Sequence, residues 1–157
     1  MMNVFFYQTV LGKIGIGEDG TGITNLYFDK EIVSKDAHIH ESELLKQAGK
    51  QLQEYLCKER TQFDLSLAPV GTEFMQSVWR ALQEIPYGET RSYQEIAQKI
   101  GNPKASRAVG LANNRNPIPI IIPCHRVIGK DGKLTGYAGG LATKQFLLDK
   151  EQRHEDF

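Results

Sequence analysis

Apolar and polar positions alternate with the period of strands over the first part of the chain. The runs "NVFFYQTV", "KIGIGED" and "GITNLYF" read as three strands, and Glu18-Asp19-Gly20 supplies turn chemistry between the second and third. A polar loop is expected over "DKEIVSKDAHIH", residues 29–40. The period then changes. Across residues 41–59, Leu44, Leu45, Ala48, Leu52, Tyr55 and Leu56 recur at helical spacing, with Cys57 at the edge of the stripe. "FDLSL", residues 63–67, returns to alternation and predicts a strand, and Pro69-Val70-Gly71 breaks the pattern. The expected division is a small N-terminal α/β unit with an antiparallel sheet over 1–69 and a second domain over 70–157.

The second domain reads as mainly helical, which makes the chain α+β. Thr72 can cap a helix whose apolar face is Phe74, Val78, Ala81, Leu82 and Ile85. Ser92-x-x-Glu95 is a capping box in front of Tyr93, Ile96, Ala97 and Ile100, and Gly101 closes that short helix. "NPKASRAVGLANN" predicts another helix at once, with Pro103 near its first turn and Ala105, Ala108, Val109 and Ala112 on one face. Two short helices joined by a glycine-containing turn form the pattern of a helix-turn-helix. Ala105, Ser106, Ala108, Gly110 and Ala112 leave the second of them little side chain, so it can approach a neighbouring surface closely, and Arg107 stands out from it. A glycine-rich loop with Gly136, Gly139 and Gly140 leads into a last helix from Leu141.

Charge sharpens this picture only through its distribution. Nineteen basic and nineteen acidic residues cancel. Residues 1–71 hold seven Lys/Arg against ten Asp/Glu, whereas residues 72–126 hold seven against four. The basic excess therefore falls on the paired helices, where a polyanion could bind. No run of apolar residues is long enough to span a bilayer and no basic-then-apolar start precedes the first strand, so a cytoplasmic protein without membrane contact is expected.

Candidate chemistry concentrates in "NPIPIIIPCHRVIG", residues 116–129, where an apolar run with three prolines delivers Cys124 beside His125 and Arg126. With Cys57 as the only other cysteine, no disulfide framework or C-x-x-C pair exists. The remaining histidines, His38, His40 and His154, add no ligand cluster, so no metal and no cofactor is expected. A thiol attacks as its thiolate and needs a base or a positive charge nearby; His125 and Arg126 offer both. Adjacent side chains on a strand point to opposite faces, so either the chain turns at Pro123-Cys124 or a water relays the proton. A base of this kind also needs an orienting acid. On a helix from Leu141, steps of about 100° put Glu151 between Leu147 and Leu148, which makes it that acid or a solvated residue in a frayed last turn.

These residues match a family. "IPCHRVIGKDGKLTGYAGGLATKQFLLDKE", with "GTEFMQSVWRALQEIPYGETRSYQEIA" and "GNPKASRAVGLANNRNPIPI", resembles the O6-alkylguanine-DNA alkyltransferases, the methylated-DNA:protein-cysteine methyltransferases, over residues 71–151. Residues 1–70 agree only in the general layout of strands and helix. The resemblance implies that Cys124 is the alkyl acceptor, His125 a base working through a bridging water, and Glu151 the acid that orients it. It implies that Asn116 ties the turn near the nucleophile to the helix-turn-helix, and that the Tyr93 hydroxyl contacts a flipped guanine and assists its departure. Arg107 would fill the gap left in the duplex. The helix carrying Ala105, Ser106, Ala108 and Gly110, with Arg115 beyond it, would lie in the minor groove. The carbonyls of Cys124 and Val127 and the amide of Ala138, beside Tyr137, would bind the base edge; family members often have serine where Ala138 stands.

The implied activity is direct reversal of damage: one irreversible transfer from O6 of guanine, with O4 of thymine as a second candidate position, to Cys124 of a monomer acting on double-stranded DNA. The chain lacks the cysteine-rich module of the related adaptive-response regulators, so it reads as the repair unit alone. Two rivals are a helix-turn-helix regulator, which leaves the Pro-Cys-His-Arg segment idle, and a non-catalytic lesion binder, in which another residue replaces the cysteine. A cysteine hydrolase would need an oxyanion arrangement that the sequence does not display.

Overall fold

The computed structural model describes residues 2–28, 33 and 35–152. The chain forms two compact units, Met1–Val70 and Gly71–Phe157. Residues 29–32 and 34 of the expected loop, and His154, lie outside the described residues.

In the first unit, strands β1 (Asn3–Thr9), β2 (Gly12–Glu18) and β3 (Ile23–Tyr27) form an antiparallel meander. The expected loop also contains a two-residue strand, β4 (His38–Ile39), which pairs parallel with β1 and gives the sheet the order β3-β2-β1-β4. The meander is therefore antiparallel as expected, while its added edge is parallel. The turn before β3 is tied by Asp19, whose Oδ1 accepts from the Thr21 and Gly22 amides at 2.9 and 3.1 Å.

Helix α1 (Glu43–Leu56) covers this sheet. Ser42 caps it by accepting from the Leu45 amide, and Cys57 ends it as an exposed C-cap. Its buried stripe of Leu45, Ala48, Leu52, Tyr55 and Leu56 meets Val4, Ile14, Ile16, Ile23 and Leu26. Gly49 sets the distance of approach: a Cβ there would come within 2.6 Å of the Tyr7 ring. The strand expected at residues 63–67 reduces to a single bridge between Leu67 and Ile23. Two backbone hydrogen bonds make it, from the Ile23 amide to the Ser66 carbonyl at 2.8 Å and from the Ala68 amide to the Ile23 carbonyl at 2.7 Å.

The second unit packs α2 (Glu73–Gln83), α3 (Tyr93–Lys99) and α4 (Ser106–Asn114) against one another. Thr72 caps α2 through the Met75 amide, and both bonds of the Ser92–Glu95 capping box are present on α3. Val78, Trp79, Leu82, Ile96, Ala97, Val109 and Ala112 are buried where the three helices meet. Trp79 Nε1 donates to the Ala112 carbonyl at 2.9 Å, so its ring is buried without losing a partner. Helix α4 starts at Ser106, later than its sequence suggests: Pro103 lies in the turn before it, and no side chain caps its first amides. Gly101, with φ of 80°, makes the reversal that ends α3.

Beyond α4 the chain makes a tight apolar loop and a single 3-10 turn over Cys124–Arg126. Strand β6 (Val127–Ile128) follows and pairs parallel with β5 (Arg91–Ser92), after which helix α5 (Leu141–Gln152) closes the unit. Among the described residues no helix is long and apolar enough to cross a membrane.

Candidate functional site

The loop before Cys124 is held by its own buried amide. Asn116 Nδ2 donates to the Ile122 carbonyl at 2.8 Å while its Oδ1 accepts from the Ile118 amide at 2.9 Å. Ile118, Ile120, Ile121 and Ile122 are buried around it. Ile120 has φ of 75°, a conformation that costs a β-branched residue on the order of 1–3 kcal/mol and persists only where its surroundings fix it. The Cys124 amide then donates to the Ile122 carbonyl at 2.7 Å. The apolar run is thus a compact plug, and it hands the chain to Cys124 in one geometry.

The 3-10 turn resolves the difficulty of adjacent residues. Cys124, His125 and Arg126 do not alternate as on a strand, and all three are buried. Cys124 is 4% exposed, and its carbonyl accepts from Asn113 Nδ2 of α4 at 3.4 Å. His125 Nε2 lies 2.8 Å from Glu151 Oε2, with both side chains at most 1% exposed. Glu151 therefore sits on the inner face of α5, not in a frayed turn. Its carboxylate also receives Arg126 Nε at 2.9 Å on Oε1 and Nη2 at 2.9 Å on Oε2.

The charge placement corrects one expectation. Arg126 does not serve the thiol; its guanidinium is committed to Glu151 and to the Ile85 carbonyl, at 2.7 Å from Nη1. The positive charge acting on Cys124 comes from Lys144. This lysine on α5 is fully buried, and Nζ donates to the Val127 carbonyl at 2.6 Å and the Thr135 carbonyl at 2.9 Å. Sequence reasoning missed it because lysine normally reads as surface. The signal was available, since Lys144 precedes Leu147 and Leu148 by three and four residues and so shares their buried face.

These environments set the ionisation of each group. Burial pushes the Cys124 thiol up to about 11, against the Asn116 hydrogen bond and the Lys144 charge, which favour the thiolate. Burial lowers the pKa of His125; Glu151 opposes this, and Arg126 and Lys144 reinforce it. Burial likewise lowers Lys144. For Glu151 burial acts upward, but hydrogen bonds and charges from His125 and Arg126 outweigh it and hold the carboxyl at about 2. The site at rest is therefore an ionised carboxylate beside an uncharged imidazole and a protonated thiol, poised to exchange a proton as the sulfur reacts.

Other candidate residues surround this cluster. The β5–β6 pairing places Arg91 opposite Val127, which brings Tyr93, at the start of α3, beside the strand that follows the nucleophile. The Tyr93 hydroxyl hydrogen-bonds the Thr135 hydroxyl. A Cβ on Gly110 would lie 3.7 Å from the Tyr93 ring, so the small residues of α4 bring that helix close to the tyrosine. Tyr137 is half-buried and Ala138 exposed in the loop before α5. Arg107, Ala108 and Arg115 are exposed, with Ala105, Ser106 and Gly110 half-buried, so α4 presents a surface separate from the buried cluster. Among the described residues no group of three or more His, Cys, Asp or Glu side chains could hold a metal ion.

The chain matches two family models: 6-O-methylguanine DNA methyltransferase, DNA binding domain, over residues 73–153, and 6-O-methylguanine DNA methyltransferase, ribonuclease-like domain, over residues 3–69. It is 55% identical over 148 residues to a methylated-DNA–protein-cysteine methyltransferase of Methanosarcina acetivorans, covering 92% of this chain and 95% of the relative. A constitutive protein of the same name from Bacillus subtilis is 50% identical over 153 residues, with 92% of each chain covered. The fold is also that of Mycobacterium tuberculosis OGT in a crystal structure with DNA, with a TM-score of 0.90 at 46% identity, covering 96% of this chain and 92% of that one.

Proposed function

The chain belongs to the 6-O-methylguanine DNA methyltransferase family, and on that premise we propose that it repairs alkylated DNA by direct reversal, moving the alkyl group from O6 of guanine to Cys124 once per chain. One observation carries the assignment of residues: a cysteine in a fixed turn, followed by a histidine whose far nitrogen is 2.8 Å from a buried carboxylate.

The reaction is a displacement at the alkyl carbon. The Sγ–C bond forms as the C–O6 bond breaks, and the electron pair of that bond goes to the guanine. The thiol proton passes through a water to His125, and the departing guanine gains one proton in exchange. Tyr93 assists that departure with its hydroxyl. Glu151 fixes the imidazole tautomer, because Nε2 must carry the hydrogen that faces the carboxylate and Nδ1 is left as the acceptor. Asn116 holds the loop and hydrogen-bonds the sulfur. The carbonyls of Cys124 and Val127, with the Ala138 amide and Tyr137, line the base pocket; Lys144 fixes the Val127 carbonyl from behind. Thioethers do not hydrolyse under physiological conditions, so the chain is spent.

An alkylated guanine inside a duplex cannot reach a buried sulfur, so the base must leave the stack. The helix-turn-helix of α3 and α4 supplies the DNA surface. Ala105, Ser106, Ala108 and Gly110 let α4 lie in the minor groove, Arg107 enters the duplex where the base was, and Arg115 contacts phosphate. The protein works as a monomer in the cytoplasm. Intact-mass analysis after incubation with a duplex holding one O6-methylguanine tests the assignment. One methyl group should be gained per chain, map to Cys124 and vanish in Cys124→Ser; a label on Cys57, or many lesions repaired per chain, would reject it.

A further inference from the structure

Arg126 is buried, yet its charge is not consumed by alkyl transfer. Two of its nitrogens take the two oxygens of Glu151 at 2.9 Å each, a third donates to the Ile85 carbonyl at 2.7 Å, and the guanidinium lies over the Tyr87 ring at 5.6 Å from its centroid. This geometry leaves the guanidinium no freedom to swing toward the thiol. Glu151 Oε2 is shared: it receives both Arg126 Nη2 and His125 Nε2. A carboxylate accepting from three donors is ionised, which requires a hydrogen on Nε2 and places the lone pair of an uncharged imidazole on Nδ1.

Two opposite fields meet at His125. Glu151 alone would favour the imidazolium, and a permanently charged imidazolium could not take the thiol proton. Burial is the largest influence against the imidazolium, and Arg126, seated on the same carboxylate, opposes the Glu151 field as well. The other titratable groups of the neighbourhood are Lys144 on α5, Cys124 on the same turn, and Tyr87 in the segment after α2.

We propose that Arg126 is a positioning residue for the alkyl transfer: by closing a two-pronged ion pair on Glu151 it keeps His125 an uncharged imidazole whose Nδ1 can accept the proton of Cys124. In the step itself the Sγ–H proton moves through a water to Nδ1 as Sγ–C forms and C–O6 breaks, and the ion pair Arg126–Glu151 persists throughout. The proposal rests on the alkyltransferase reading for its chemistry, but the charge it assigns to His125 is measurable without any substrate. Burial acts on His125 in the same direction, as does Lys144.

The test is a pH titration of the full chain with 15N-labelled histidine, followed by NMR. In the wild type His125 should hold its hydrogen on Nε2 and remain uncharged below the ordinary histidine midpoint of about 6.5. In Arg126→Gln the midpoint should rise by about one pH unit or more, and Arg126→Lys, which keeps charge without the fork, should fall between. The acid limb of the single-turnover rate with free O6-benzylguanine should move up with it. An imidazolium at pH 7 in the wild type would overturn the proposal even if Arg126→Gln failed to fold, and so would an unchanged or lowered midpoint in a folded variant. Failure of the wild type to take a methyl group from a duplex holding one O6-methylguanine would overturn the alkyltransferase reading instead, since the titration reads the arginine independently.

Discussion

His125 Nε2 and Glu151 Oε2 stand 2.8 Å apart with essentially no exposure to water, although 25 residues of chain separate them. Replacing Glu151 by Gln keeps the shape but removes the charge that both Arg126 and His125 address. Single-turnover transfer from O6-benzylguanine should slow by about ten-fold or more at pH 7 and recover in part at higher pH, where the thiol ionises unaided. Unchanged rates over that range would reduce Glu151 to a structural role.

The same carboxylate sets an acid limit on the fold. Its folded pKa of about 2 lies below the ordinary value, so the unfolded chain binds the proton first, and the stability Glu151 contributes is present above about pH 4.5 and lost as the pH falls toward 2. His125 acts in the same sense: its pKa is lowered by burial, so acid below about 6.5 favours the unfolded chain. Urea midpoints measured between pH 7 and pH 3 should fall more steeply for the wild type than for Glu151→Gln. Parallel curves would mean that the carboxylate ionises alike in both states.

Much of this site could be read from local signals. Thr72 and the Ser92–Glu95 box announced α2 and α3 because capping uses neighbouring residues only, whereas the angular position of Glu151 left it open between an inward-facing acid and a solvated residue of a frayed turn, which the fold decides for burial. The start of α4 was harder: Pro103 fits a first turn sterically, but the turn from Gly101 to Ala105 takes the residues before Ser106 for itself. The β5–β6 pair, two residues on each side, carries no periodicity at all and depends on two segments some 35 residues apart. Arg126 could not be assigned because its partner is set by the fold; charge beside a cysteine suggested thiolate support, and the ion pair with Glu151 won.

Lys144 offers a prediction of a different kind. Lys144→Met keeps most of the buried length but leaves the Val127 and Thr135 carbonyls without their donor and takes away the charge that favours the Cys124 thiolate. The orphaned Val127 carbonyl, which is buried, costs about 1–3 kcal/mol, while that of the exposed Thr135 can turn to water. The variant should therefore unfold at lower urea and transfer more slowly, and higher pH should restore part of the rate but none of the stability. A variant as stable and as fast as the wild type would show that the ammonium is dispensable at this position.

Asn116 should separate loop integrity from DNA binding. Asn116→Ala removes two buried hydrogen bonds, leaving the Ile118 amide and the Ile122 carbonyl without their side-chain partner, and should cost about 2–4 kcal/mol. Ile120 would lose the frame that holds its positive φ, and Cys124 would be presented loosely. Denaturation should show the loss directly, and benzyl transfer should fall even where the protein is fully folded. If the exposed face of α4 is the DNA surface, affinity for an undamaged duplex should stay within about two-fold; a parallel loss of DNA affinity would mean that the loop and the DNA surface are one mechanical unit.

Arg107 is exposed on α4, apart from the buried cluster, and this makes its expected effect selective. If it occupies the place of the extruded base, it compensates an unstacking cost of a few kcal/mol that arises only in a duplex. Arg107→Ala should then slow repair of O6-methylguanine in double-stranded DNA by at least about ten-fold while leaving reaction with free O6-benzylguanine nearly unchanged. The contrast between substrates is the diagnostic, because a general folding defect lowers both rates together. Measuring the two single-turnover rates side by side, with urea stability as a control, decides the matter: equal losses on both substrates would remove Arg107 from the base-flipping step.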